Sequence, residues 1–197
     1  MKLDVERVVL INGGHLDRLR VGDILRFYLS DGELIRALKV EESDDKSNYY
    51  DTYIFLDCLR DEYKHTEMNK CFNSLFKKIP DWLKSNIRIL DNAHYFRLAT
   101  EKEIYGVNYY SDTIESDIIK QWTPMMDRRN RIALSLNKGE CTWWWLSNEV
   151  DKVYIGDEHS KSYSTVSSNG DCYYLGSDSL CGVRPVFQVD KGYFLSQ

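Results

Sequence analysis

The chain opens with alternating apolar and polar positions, the pattern of a half-buried β-strand. The alternation is clearest over residues 24–29, and a second apolar run covers Leu34–Val40. Asp31-Gly32 lies between the two runs, and Asp-Gly is a frequent turn pair in β-hairpins. Residues 41–47 are mostly acidic or polar. The sequence therefore predicts an N-terminal hairpin followed by a solvated loop.

Helical periodicity replaces the alternation after a further apolar run. That run, Tyr53–Leu59, predicts a buried strand that ends near Asp57. Within Glu67–Phe76, apolar residues recur at three- and four-residue steps and predict an amphipathic helix. Pro80 suits the first turn of a second short helix. The apolar residues expected in the core of these two helices are Met68, Cys71, Phe72, Leu75, Phe76, Trp82, Leu83 and either Ile87 or Ile89.

A short strand and a capped helix are predicted next. The strand covers Phe96–Ala99, and Thr100 with Glu103 forms a capping box for a helix that ends at Gly106. The pattern is weaker from residue 107 onward. Isoleucines within Asp112–Lys120 favour another helix there.

The chain turns strongly towards β-structure from Cys141 onward. Short apolar and aromatic runs are separated by Gly, Asn, Asp and Ser, which is typical of strands joined by tight turns. Strands at both ends with helices between them, without a βαβ rhythm, indicate an α+β fold. The predicted strands are Thr142–Leu146, Val153–Ile155, Tyr163–Val166, Cys172–Leu175, Val183–Val189 and Tyr193–Leu195.

Length and charge limit the classes of function. The 197 residues, 43% of them hydrophobic, are expected to form a single domain over 1–197. The net charge of -5 argues against a nucleic-acid partner. Residues 1–13 carry Asp4 and Glu6 and have no long apolar run, so neither a secretory signal nor a membrane segment is predicted. We therefore expect a cytoplasmic location.

The five cysteines have long, irregular spacings, which favours reduced and mostly buried thiols. Neither they nor the four histidines show metal-ligand spacing, so we expect no metal or other cofactor. Cys172 and Cys181 are nine residues apart and leave one alternative open. They could meet as a redox pair, or they could be two separate core residues.

Several short motifs occur in a fixed order along the chain. They are Asp57-Cys58-Leu59, Met68-Asn69-Lys70, Ile79-Pro80, the run from Phe96 to Gly106, Arg128–Ile132, Trp143-Trp144-Trp145-Leu146 and Gly182-Val183-Arg184-Pro185. Over about residues 20–190 this order resembles an uncharacterised bacterial and phage domain family whose signature is W-W-L-R-S-P followed by G-V-R-P. The resemblance implies a C-type-lectin-like fold, shared with formylglycine-generating enzymes.

The chain departs from that family pattern at two places. Ser147-Asn148-Glu149 stands where the family has Arg-Ser-Pro, and Lys64-His65-Thr66 stands where it has Gly-Gly-Trp. Relatives of the family include lectin-like binders, phage receptor-binding modules and oxidative enzymes. A copper-dependent thiol enzyme of this fold would need Cys172 and Cys181 close together and accessible.

Other catalytic patterns are missing from the sequence. There is no G-x-S-x-G nucleophile elbow, no glycine-rich phosphate loop and no calcium-lectin tripeptide. Arg184 is expected to be a buried arginine that pairs with a carboxylate.

Aromatic residues are the distinctive component, with 14 Tyr, 7 Phe and 5 Trp. Tyr and Trp on loops are the residues that binding surfaces use. Strand alternation sends Trp143 and Trp145 to one face and Trp144 to the other. Either all three indoles are buried, or one face is an open platform.

We therefore expect a non-enzymatic recognition module that binds a protein or a glycan. One concrete version is a phage-encoded protein that occupies a host factor whose nucleic-acid site is basic. The alternatives are the oxidative copper/thiol enzyme and a structural domain of a phage or surface assembly. The predicted binding residues are Trp144, Asn148, Glu149, Tyr163, Asn169 and Tyr173.

Overall fold

The computed structural model describes residues 8–10, 19–43, 49–90, 94–112, 119–155 and 161–190. The fold is mixed α+β, as predicted. The strands are β1 (Val8–Leu10), β2 (Ile24–Tyr28), β3 (Leu34–Glu42), β4 (Tyr50–Phe55), β5 (Ala133–Leu134), β6 (Cys141–Thr142), β7 (Trp144–Glu149), β8 (Ser162–Val166), β9 (Cys172–Gly176) and β10 (Val186–Asp190). The helices are α1 (Met68–Lys78), α2 (Asp81–Lys84), α3 (Glu101–Tyr105), α4 (Arg128–Arg131) and α5 (Lys152–Ile155), with 3-10 turns at His65–Glu67 and Thr123–Met126.

The described strands form three sheets. The largest has the order β1-β2-β3-β4-β10 and is antiparallel except for the β1–β2 pair. Strands β7-β8-β9 form a second antiparallel sheet, and β5 pairs with β6. The predicted hairpin is confirmed as β2 and β3. Gly32 supplies the positive φ of 86° that its turn requires.

The five-stranded sheet is buried on both faces. Alternation along β4 sends Tyr53 and Phe55 to one core cluster and Ile54 to the other. The first cluster includes the apolar face of α1 and Trp145. The second includes Ile104 of α3, Trp122 and Trp144. Two core layers therefore cover one sheet.

The central helices follow the predicted pattern with small corrections. Helix α1 buries Met68, Cys71, Phe72 and Leu75, while Phe76 is only partly buried. In and after α2, Leu83 and Ile87 are buried, whereas Ile89 is 64% exposed and Trp82 was wrongly predicted as core. The capping box of α3 is confirmed, because Thr100 accepts from the Glu103 amide and Glu103 accepts from the Thr100 amide.

Two predicted strands are wrong. Val153–Ile155 lies in α5, because the Asp151 carboxylate accepts the Val153 amide and starts a helical turn. Phe96–Ala99 is extended but bridges two sheets instead of joining one. Arg97 exchanges both backbone hydrogen bonds with Val186 of β10, and the Ala99 carbonyl accepts from Ser147 of β7. The predicted helix over 112–120 and the predicted strand over 193–195 lie largely outside the described residues.

Arg184 is fully buried, as expected, but it donates to backbone carbonyls and not to the predicted carboxylate. Its Nε donates to the Phe55 carbonyl at 2.7 Å, and Nη1 donates to the Asn130 carbonyl at 3.0 Å. The guanidinium lies 4.5 Å from the centre of the Trp144 ring. Burial lowers the pKa of Arg184 to about 10. Backbone carbonyls and an indole face thus hold this cation where a carboxylate was expected.

Gly182 occupies a position without room for a side chain. A Cβ there would lie 2.6 Å from Cys58 Sγ and 2.8 Å from the Trp143 carbonyl oxygen, whereas one at Gly176 would meet no atom within 4 Å. We expect Gly182→Ala to lower the free energy of unfolding by about 1–3 kcal/mol, because the backbone must shift to relieve the overlap. Gly176→Ala is the matched control, with a change below about 0.5 kcal/mol. Urea unfolding compares them, and equal midpoints would contradict this close approach.

Candidate functional site

The six predicted binding residues do not share one surface. Trp144 is 0% exposed and Asn148 is buried, so neither lines an accessible face. The Trp144 indole N–H donates to the Arg131 carbonyl at 2.9 Å, and its ring covers the Arg184 guanidinium. The prediction that these two residues lie at the surface is wrong, because Trp144 belongs to a core cluster and Asn148 is held by buried hydrogen bonds.

The alternation predicted for the tryptophans is confirmed. Trp144 belongs to one core cluster, while Trp145 belongs to the other and Trp143 packs against it. The Trp145 indole N–H donates to the Tyr63 carbonyl at 2.8 Å. Of the two alternatives left open for this strand, burial therefore holds for Trp144 and Trp145. Trp143 remains half-buried.

Glu149 and Tyr163 lie opposite each other in the β7–β8 pair. Glu149 is exposed and forms an ion pair with Lys161 at 2.8 Å. The Tyr163 ring stacks on His65 with a centroid distance of 3.4 Å and an interplanar angle of 9°. These contacts make Tyr163 a half-buried packing residue at the sheet face.

Asn169 and Tyr173 are both exposed, but Asn169 lies in a turn and Tyr173 lies on a strand. Asn169 lies in the turn between β8 and β9, where its carbonyl accepts from Arg128 Nε at 2.6 Å. Tyr173 lies on β9 beside Trp143, with 5.2 Å between ring centroids. The strand registers place Tyr173 on the same face of the β7–β8–β9 sheet as Glu149 and Tyr163. Asn169 lies in a turn outside that face, so these four exposed or half-buried residues do not form one patch with Trp144 and Asn148.

A tyrosine cluster forms instead on the other face of β9. It joins the end of α3, the loop after it, helix α5 and β9, with ring centroids 5.1–6.5 Å apart. Tyr109 is 52% exposed and Tyr154 is 49% exposed. Edge-to-face contacts dominate, which is the favoured geometry of aromatic pairs. The cluster consists of Tyr105, Tyr109, Tyr110, Tyr154 and Tyr174.

Tyr110 is the centre of this cluster. Its ring meets Tyr154 at 5.4 Å and Tyr174 at 5.1 Å, both nearly perpendicular. Its hydroxyl donates to the Cys172 carbonyl at 3.5 Å, and its own carbonyl accepts from the Asp151 amide at 2.8 Å. Partial burial raises the pKa of Tyr110, so the phenol remains neutral. The loop after α3 is therefore tied to both neighbouring elements.

A buried polar network supports the loop from below. The Glu101 carboxylate is fully buried and accepts the Tyr109 and Tyr110 amides and the Ser164 hydroxyl. Asn148 Oδ1 accepts the Glu101 amide at 2.7 Å, and its Nδ2 donates to Ser111 Oγ at 3.0 Å. Asn148 thus positions the tyrosine loop without reaching the surface itself.

Two carboxylates lie at the border of the cluster, one exposed at Asp112 and one half-buried at Asp151. Asp112 follows the tyrosine loop and Asp151 precedes α5, and the neighbouring Asp151 side chain raises the pKa of Asp112. The Val153 amide donates to the Asp151 carboxylate, which lowers the pKa of Asp151. Two like charges this close favour a cation between them. The border of the tyrosine cluster is therefore acidic.

The sequence contained a signal for this cluster that its periodicity did not reveal. Tyr109-Tyr110 directly follows the predicted helix stop at Gly106, and adjacent tyrosines on a loop favour exposure. The strand predicted for Val153–Ile155 gives no reason to expect Tyr154 in the cluster, whereas the observed helix α5 places it there. The ring contacts between these segments could be identified only from the tertiary structure.

Cys172 and Cys181 do not form a pair. Gly182, Trp144, Val166 and Cys172 lie in one row across neighbouring strands. Three strand spacings, about 14 Å, therefore separate Cys172 from the residue next to Cys181. Burial raises the pKa of both thiols. The accessible cysteine pair that a copper-dependent thiol enzyme needs is not present here.

Among the residues that the structure describes, no group of three or more His, Cys, Asp and Glu side chains is placed to hold a metal ion. None of the described helices is long and apolar enough to cross a membrane.

Comparison of the chain with protein-family models, curated proteins and solved structures finds no match in any of the three.

The support network predicts a specific effect of Asn148→Ala. The change leaves the Glu101 amide and the Ser111 hydroxyl without their buried partner, so we expect the free energy of unfolding to fall by about 1–3 kcal/mol. Hydrogen exchange of the Tyr109 and Tyr110 amides should accelerate more than exchange in α1. Asn137→Ala, which removes an exposed hydrogen bond to the Arg60 carbonyl, is the control. Unchanged exchange at the tyrosine loop would contradict the supporting role.

His65 predicts a pH dependence of stability. Its Nε2 lies 3.1 Å from the Leu146 carbonyl, which can only accept, so the neutral ring carries its hydrogen on Nε2. Burial lowers the pKa of His65 to about 4 from 6.5. Below pH 6.5 the unfolded chain therefore binds a proton that the folded protein excludes. We expect the free energy of unfolding to fall as the pH drops from 6.5 towards 4.

His65→Phe keeps a ring against Tyr163 and removes this titration. Urea unfolding of wild type and variant across pH 4 to 7 isolates the contribution of His65 as the difference between two curves. That difference should change between pH 6.5 and 4 and stay constant above pH 6.5. A flat difference over the whole range would show that His65 titrates normally.

Proposed function

We propose that this protein is a non-enzymatic recognition module and that its partner is a protein with a basic surface. The observation that carries the proposal is the tyrosine cluster, in which Tyr109, Tyr154 and Tyr174 are exposed and the loop that carries Tyr109 is held by buried hydrogen bonds. Tyrosine supplies a large amphipathic contact area at low cost in conformational entropy. The Glu101 and Asn148 network fixes the loop before binding, which reduces the ordering cost further.

The charge distribution supports a basic partner. Asp112 and Asp151 lie together at the border of the cluster, and the whole chain carries a net charge of -5. A lysine or arginine between the two carboxylates relieves their repulsion and places a cation next to tyrosine rings. The same acidic character disfavours a nucleic-acid ligand.

The C-type-lectin-like fold remains part of the proposal. The α+β composition and the β-rich C-terminal third support it, as does the order of the motifs from Asp57 to Pro185. The loops between short strands are where that architecture carries binding surfaces. Two members of the tyrosine cluster, Tyr154 of α5 and Tyr174 of β9, lie in this region.

The test uses peptides of equal length and equal aromatic content whose net charge runs from acidic to basic. Binding is measured by fluorescence polarisation with wild type, Tyr109→Ser/Tyr154→Ser and Asp112→Asn/Asp151→Asn. We expect basic peptides to bind best. The tyrosine variant should weaken that binding about tenfold or more, as for central interface aromatics. The charge variant should lose the preference for basic peptides and most of the salt dependence.

Tyr28→Ser is the matched control. Tyr28 is 61% exposed on β2, outside the cluster, and its removal should leave peptide binding unchanged. Equal binding of acidic and basic peptides would contradict the proposed partner.

Light scattering supplies a further check. If the tyrosine variant abolished self-association of the protein, the cluster would be an assembly interface and the recognition proposal would fail.

A further inference from the structure

A cavity of about 500 Å³ opens between the five-stranded sheet and α3. Strands β3, β4, β7 and β10, helix α3 and residues near 97–100 and 119–122 contribute its walls. This volume is within the range of roughly 300–1,000 Å³ that small-molecule sites occupy. The cavity shares no residue with the tyrosine cluster, so it is a separate candidate site.

The first wall is a row of polar side chains across three strands. The registers place Thr52 of β4 opposite both Glu41 of β3 and Gln188 of β10. The Thr52 hydroxyl donates to Glu41 Oε2 at 3.2 Å and accepts from Gln188 Nε2 at 3.4 Å. A carboxylate and an amide are thereby oriented by a buried hydroxyl.

A β-bulge brings Glu41 to this wall. Lys39 lies opposite Tyr53 and Glu41 lies opposite Thr52, with a register shift between them. Because Tyr53 and Thr52 are consecutive, their partners point to opposite faces of the sheet. The Lys39 ammonium is buried against Asp51 at 2.7 Å. Glu41 is left to face the cavity.

The second wall carries a charge pair that is already satisfied. Arg97 donates to the two carboxylate oxygens of Glu103 at 2.7 and 2.5 Å, and to the Leu98 carbonyl at 3.0 Å. Glu103 Oε2 also accepts the Thr100 amide at 2.9 Å. This bidentate pair is directional and strong. Glu103 and Arg97 are therefore held in fixed positions with their charges mutually neutralised.

Apolar atoms complete the cavity. Trp122 and Leu98 are mostly buried and contribute ring and aliphatic surface to its lining. The Trp122 ring lies 5.8 Å from the Arg97 guanidinium, which fixes one side of the indole. An indole beside amide, hydroxyl and carboxylate groups suits a molecule with polar edges and an apolar face.

The charges of the lining balance. Glu41 and Glu103 are acidic, Arg97 and Lys120 are basic, and no other charged side chain contributes to it within the described ranges. Desolvation, with a smaller effect of the Glu103 charge, raises the pKa of Glu41. An ionic ligand would have to break the Arg97–Glu103 pair or face one unmatched charge. A neutral ligand meets neither cost.

We infer that this cavity binds a neutral saccharide or polyol. Each hydroxyl of such a ligand donates and accepts, which matches a wall built from Glu41, Gln188 and nearby hydroxyls. The apolar face of a sugar ring would lie against Trp122. The balanced charges select against sugar acids and sugar phosphates.

The test is titration calorimetry with glucose, galactose, N-acetylglucosamine and inositol, together with a uronic acid and a sugar phosphate. We expect at least one neutral compound to bind and the anionic compounds to bind more weakly. Glu41→Ala and Gln188→Ala should each weaken binding about tenfold, the usual effect of losing a hydrogen-bonding group that reads a ligand hydroxyl. Trp122→Phe should remove any fluorescence change on binding.

Glu62→Ala is the control, since Glu62 forms an ion pair with Lys138 away from the cavity. The affinity of the Glu62→Ala variant for any neutral compound that binds should equal that of wild type. Absence of binding by every neutral compound would overturn the inference, as would stronger binding of the anionic ones. Binding that survives both Glu41→Ala and Gln188→Ala would place the ligand elsewhere. None of these variants touches the tyrosine cluster, so the outcome is independent of the peptide experiment.

Discussion

Burial of consecutive tryptophans in β7 is the constraint on which the surfaces of this protein depend. Trp144 and Trp145 point to opposite faces of one strand and are both fully buried. Each burial removes a large apolar area from water, and each indole N–H finds a backbone carbonyl. The strand is thereby covered on both sides. The tyrosine cluster is therefore built from the neighbouring strand β9, helix α5, the end of α3 and the loop after it.

Helix α3 connects that buried region to both candidate sites. It contains only five residues, and a capping box and Gly106 define its two ends. Glu101 turns inward and holds the backbone of the tyrosine loop, while Glu103 pairs with Arg97 at the cavity wall. A short helix has little stability of its own, so these tertiary contacts hold it in place. Its two glutamates are buried and hold the neighbouring segments in place. From the sequence alone, both would be expected on the solvent-exposed face of the helix.

Local signals in the sequence predicted local structure well. The Asp31-Gly32 turn, the apolar stripe of α1 and the Thr100–Glu103 capping box each depend on neighbours within a few residues, and each is present. Val153–Ile155 failed because an apolar run of three residues does not distinguish a strand from a helical turn. The Asp151 carboxylate accepts the Val153 amide and stabilises a helical turn at this position.

Predictions that depended on tertiary context succeeded less well. Asn148 and Glu149 are adjacent and polar, yet one is buried in a network and the other is exposed beside Lys161. Pattern alone could not separate them, because the burial of Asn148 depends on the loop that crosses above it. Tyr110, Tyr154 and Tyr174 come from three distant segments, so only the packed structure brings their rings together.

The two candidate sites differ in the chemistry they offer. The tyrosine cluster is aromatic, partly exposed and bordered by adjacent carboxylates, which favours a cationic partner. The cavity is concave and polar, and its charges cancel, which favours a small neutral one. The same residue type serves both arrangements in different ways. A carboxylate beside another carboxylate attracts a cation. Glu103, by contrast, pairs with Arg97 and leaves no net charge on the cavity wall. The partner of each glutamate or aspartate therefore decides which ligand the surface can recognise.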